Sequence, residues 1–123
     1  MQVDRRAGDP LRFVGPGPFG AFVAKAIAGF AFFEFVVLNA CIELRHDGDP
    51  DAATARMYMC ELRQGVEDGH FTIAYGLYQD RYARTDAGWR FAERHYASMA
   101  RSSADESRDL DVFPFPKITN WRQ

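Results

Sequence analysis

The sequence predicts a single α+β domain, one helix followed by a curved antiparallel meander of four long strands around a pocket. Apolar residues recur first with a helical period and then, from about Phe33, with a period of two. Turn chemistry interrupts the second regime at nearly regular spacing. At 123 residues the chain suffices for one proper core.

Residues 1–17 form a leading strand and loop, polar except for LRFV, and Gly15-Pro16-Gly17-Pro18 is a hard stop. The helix is expected over 18–31. Pro18 suits its first turn, and Phe19, Phe22, Val23, Ala26, Ile27 and Phe30 share one face. Strand alternation then places Phe35, Val37, Asn39 and Cys41 on one side, through about Arg45. HDGDPD at 46–51 is a turn, and residues 54–64 return as the hairpin partner. Residues 70–84 and 89–100 make the third and fourth strands, so the meander spans 33–100, with Trp89 and Phe91 read as core. The tail, 101–123, is polar and then apolar in VFPFPKI, as if it had something to cover.

Composition excludes several function classes. A net charge of −2 and a pI near 5.9 argue against nucleic-acid binding, which needs a concentrated basic surface. Residues 19–42 are mostly apolar, yet Lys25, Glu34 and Asn39 interrupt them, so no membrane span is expected. No apolar leader is visible at the start. Cys41 and Cys60 lack CxxC spacing and read as reduced core thiols of a cytoplasmic protein. Aromatics reach 15%, a surplus that more often lines a pocket or an interface.

Three motifs dissolve on inspection. Gly15-x-Gly17-x-x-Gly20 imitates a dinucleotide fingerprint, but Pro16 and Pro18 have no N–H for a pyrophosphate, and hairpins rather than βαβ units follow, so no parallel sheet is expected. Asp47, Asp49 and Asp51 open like a calcium loop, yet Tyr58 stands where the closing Glu belongs. His46, His70 and His95 have no metal-binding spacing, and there is no GxSxG. Neither metal nor cofactor is expected.

What remains is spread over the sheet. Met57, Met59, Glu61 and Arg63 share a face of the second strand, and Gly76, Tyr78, Asp80 and Tyr82 share one of the third. One reading is an ion-pair cluster of Glu61, Arg63 and Asp80, or plain exposure to solvent. The other is a polar patch in a pocket, where desolvation lifts a carboxylate toward acid–base work.

The stretch GLYQDRYARTDAGWRFAER at 76–94 resembles the last hairpin of SnoaL-like proteins, which have the cone fold of the nuclear transport factor 2 type. FVVLN at 35–39 and ATARMY at 53–58 resemble that family's earlier hairpin. The family includes polyketide cyclases and scytalone dehydratase, and fold transfers within it better than function. The resemblance implies two or so helices ahead of the first strand, which this chain is expected to lack. It puts the two histidines of the dehydratase on Phe35 and about Arg63, neither of which shuttles a proton near neutral pH.

The resemblance implies a pocket lined by Phe35, Met59, Arg63 and Tyr78, with Phe113 and Phe115 folding over the cone mouth. Asp80 or Glu61 would be acid or base and Tyr78 a hydroxyl donor. The expected ligand is a small apolar or aromatic molecule, and the expected reaction an isomerisation, cyclisation or dehydration without cofactor, by a protein that self-associates, as a homodimer or larger. The alternative is a non-catalytic ligand-binding or oligomerising subunit of the same fold.

Overall fold

The computed structural model describes residues 1–104 and 109–121. Strands β1 (Gln2–Asp4) and β2 (Leu11–Arg12) precede helix α1 (Pro16–Ile27). Four long strands follow, β3 (Phe30–Leu44), β4 (Ala52–Gly65), β5 (Phe71–Thr85) and β6 (Gly88–Ser102), and then β7 (Leu110–Val112). The sheet order is β2-β1-β6-β5-β4-β3, with β7 also paired to β6. Consecutive long strands are antiparallel, as the turn spacing predicts.

Two expectations are corrected. Helix α1 stops at Ile27, short of Phe30. Gly29 disfavours continuation, and the β-branched and aromatic run beginning at Phe30 favours a pleated strand. The sheet is also mixed, because β1 lies parallel to β6, pairing Gln2 with His95 and Val3 with Tyr96. Parallel neighbours need a long crossover, and here the whole meander supplies it.

Curvature comes from bulges. Register shifts interrupt the β3–β4 ladder between Val37 and Asn39, and the β5–β6 ladder on both sides of its centre. An extra residue bends and twists its strand. The shift at Leu38 also moves Asn39 and Cys41 to the opposite face from Phe35 and Val37, overturning the unbroken alternation read from sequence.

The two most buried apolar side chains, Met59 and Leu77, sit on opposite faces, so the sheet is covered on both sides. The outer cover is the tail. Gln79 donates from Nε2 to the Lys117 carbonyl at 3.0 Å and accepts at Oε1 from the Thr119 N–H at 2.7 Å. His95 packs against Trp121 on the same face. Trp89 and Phe91 are 41% and 57% exposed rather than core, because the β5–β6 hairpin tip projects beyond the layers that cover the sheet's middle. Cys60 is buried but Cys41 is exposed.

Candidate functional site

The concave face of the sheet and helix α1 enclose a cavity of about 440 Å³. Its apolar wall is aromatic, with Phe19 and Phe22 from α1 and Phe30, Phe33 and Phe35 from β3. The helix delivers its rings by the spacing of its apolar stripe, and Phe13 packs against Phe19 and Phe22 from outside. A larger hollow of about 690 Å³ lies on the other side of the sheet, between β6 and the tail. The concave cavity is the better candidate, because the polar groups of three strands converge there on an apolar wall.

Strand register sets those polar groups in rows. Phe35, Glu61, Ala74 and Arg101 pair in succession across β3 to β6. The next concave row runs Met59, Gly76, Ser98, the next Met57, Tyr78, Tyr96, and the last Ala55, Asp80, Arg94. Small side chains at Ala74, Gly76 and Ser98 therefore form the floor. Gly76 is required: a Cβ there would run into the ring of Tyr96. Tyr96 and Tyr78 lie 4.9 Å apart between ring centres, and Phe35 packs on Tyr78 at 6.2 Å.

Asp80 and Glu61 differ sharply. Asp80 is fully buried; it accepts from Arg94 Nε at 2.9 Å and from the Tyr82 hydroxyl at 2.7 Å. The Arg94 guanidinium in turn lies 3.8 Å from the centre of the Tyr78 ring. Asp80 therefore orients a pocket arginine and does not reach the pocket surface itself. Glu61 does line the cavity, with Arg63 Nη1 3.6 Å away. Burial pushes the Glu61 carboxyl above the usual carboxylate range, and the Arg63 charge works against that rise. Tyr78 is pushed up to about 12, chiefly by burial and against the pull of Arg94, so its hydroxyl stays a donor at neutral pH. Burial likewise raises Tyr96.

The residues expected at the site are thus partly brought together. Phe35, Glu61, Arg63 and Tyr78 share the cavity wall. Met59 is buried beneath it, beside the floor. The expected Glu61–Arg63–Asp80 cluster is split, since Asp80 takes Arg94 instead. Phe115 lines the outer hollow, and Phe113 sits against Arg6 and Arg101, so neither ring closes the cavity mouth. The tail crosses the convex face because Gln79 and His95 present partners there. Arg94, Tyr96 and Arg101 are pocket residues that sequence reasoning missed. Counting back from the turn pairs Thr85 with Gly88 and puts Asp80 opposite Glu93; the register shift past Tyr82 puts Arg94 there instead. Among the described residues no group of three His, Cys, Asp or Glu is placed to hold a metal.

A helix-capped, curved sheet around an aromatic cavity defines a protein of the α+β cone class. Residues 2–95 match the SnoaL-like domain family, and the chain belongs to that family. Solved structures share the fold. The Kfla4162 protein from Kribbella flavida is 17% identical, with a TM-score of 0.65 over 82% of this chain and 70% of its own. A candidate scytalone dehydratase from Novosphingobium aromaticivorans is 16% identical, with a TM-score of 0.66 over 94% of this chain and 74% of its own. A hexachlorocyclohexane dehydrochlorinase, LinA-type3 from Novosphingobium barchaimii, is 14% identical, with a TM-score of 0.56 over 97% of this chain and 73% of its own. No curated protein matches the chain.

Proposed function

We propose that the concave cavity binds a small apolar or aromatic molecule and that Glu61 moves a proton on it, without a cofactor. The supporting observation is the division of labour between the two carboxylates. Asp80 is committed to Arg94 and Tyr82, whereas Glu61 faces the cavity with a carboxyl that burial holds closer to neutral. In this reading Glu61 removes a proton from carbon next to a carbonyl, and Tyr78 donates to the oxygen that gains charge. Returning the proton to another carbon completes an isomerisation; delivering it to a departing hydroxyl completes a dehydration. Arg63 serves as an anion contact. The neighbours named as a dehydratase and a dehydrochlorinase agree with proton abstraction at the fold level.

A second reading is a non-catalytic binding subunit that pairs with another copy of itself. It draws on Arg63, which favours a fully ionised and less basic Glu61, and on the absence of histidine at Phe35 and Arg63. Deuterium incorporation into a panel of cyclic aromatic ketones, followed by NMR in D₂O, separates the two. Exchange catalysed by the parent chain and lowered about 10²–10⁴-fold in Glu61→Gln supports the enzyme. Saturable binding with no exchange supports the binding subunit.

A further inference from the structure

We propose that the ligand of the concave cavity is an aromatic carboxylic acid, with its carboxylate held by Arg63. The inference rests on that cavity being the ligand site, and it names the ligand class.

The cavity is aromatic, yet its charge is strongly one-sided. Arg5, Arg63, Arg94 and Arg101 line it against a single lining carboxylate, Glu61. Counting Asp80 behind Arg94, four positive groups still face two negative ones. A neutral hydrocarbon would gain nothing from that excess, and gathering like charges around an apolar cavity is costly without an anion.

The arginines are not equally occupied. Arg94 is engaged by Asp80 through Nε at 2.9 Å, and Arg101 donates Nη1 to the Arg5 carbonyl at 2.6 Å. Arg63 is the under-satisfied one. Its Nε is buried with no hydrogen-bond partner, and its contact with Glu61 is a 3.6 Å ion pair through Nη1. Its guanidinium carbon lies 5.4 Å from the Phe30 ring centre, which places the group beside the aromatic wall. A buried charged donor without an acceptor is expensive, and a carboxylate suits the planar fork of a guanidinium. On the far side of β5, across the small Ala74, Arg101 adds a second positive group. The ring of such an acid would then lie over Ala74 and Gly76, among Phe33, Phe35 and Tyr78, in a space of about 440 Å³.

The test is isothermal titration of the full chain at low salt with 2-naphthoate and its neutral isostere 2-naphthamide. The acid is expected to bind about tenfold tighter than the amide. Arg63→Gln should remove the preference, bringing the acid to the affinity that the amide has for the same variant. A circular dichroism spectrum and a cooperative melt like those of the parent show that the variant is folded. Arg101→Gln, further from the proposed fork, should weaken the acid by a smaller factor. Equal affinities in the parent chain would overturn the anion assignment while leaving the cavity as the ligand site. An acid preference that survives Arg63→Gln would overturn the role of Arg63. Failure of both probes to bind at millimolar concentration would overturn the proposal together with the ligand-site reading beneath it.

Discussion

Asp80 and Glu61 stand on one face of adjacent strands, and burial gives them opposite tasks. Asp80 has no solvent contact and holds Arg94, whose side chain keeps 21% of its surface exposed. Removing the negative charge leaves that guanidinium without its counterion. Breaking a fully buried pair costs about 3–5 kcal/mol. The partial exposure of Arg94 lowers the expected loss for Asp80→Asn to about 2–3 kcal/mol, measured by urea unfolding. An unchanged midpoint would mean that the pair contributes nothing. For Glu61 the sign is reversed. Its folded-state pKa lies above the ordinary carboxylate value, so its stabilising contribution is complete below the unfolded pKa and is lost as pH rises through the folded one. Glu61→Gln is therefore expected to melt above the parent at pH 7, with the gap closing toward about pH 4. A variant that melts lower at pH 7 would show the Arg63 pair outweighing desolvation. A carboxylate retained at a cost in stability is what proton chemistry requires.

At the level of elements, the four long strands and their turns are legible from the period-two pattern, because side chains alternate between unlike faces. One face lies on the aromatic cavity, and the other carries polar groups such as Gln79 and His95 under the tail. The pocket is only half legible, because bulges leave no compositional signature. The alternation of β4 correctly groups Met59, Glu61 and Arg63. On β3 the shift at Leu38 defeats it, and on β6 a single extra residue decides whether Glu93 or Arg94 meets Asp80. Gly76 shows the same limit, since its need appears only when Tyr96 is placed across it. Gly76→Ala must displace that ring and is expected to cost about 1–3 kcal/mol. Combining it with Tyr96→Ala should recover part of the loss. A double-mutant cycle with no coupling would sink the claim that the ring is what the glycine accommodates.

For the whole molecule, the tail and the edge strand carry the consequence. The tail already occupies the outer face over β5 and β6, held by both the nitrogen and the oxygen of the Gln79 carboxamide. Dimerisation through the full outer face would have to share that surface with residues 113–121. The described structure offers another seam in β3, which ends the sheet with one side unpaired. It is 15 residues long, and Leu38 and Ile42 are 55% and 65% exposed. Long apolar edges template pairing with another chain, and proteins that stay monomeric blunt them with charge. Here Glu34 and Glu43 are the only charged residues of the strand. Sedimentation velocity is expected to show concentration-dependent self-association of the parent chain. Leu38→Lys with Ile42→Lys should return it to monomer, with stability altered by no more than about 0.5 kcal/mol because both side chains are solvated. A parent that stays monomeric at high concentration would mean that the edge is inert. Association that survives both lysines would move the seam to the outer face, where the tail would have to share it.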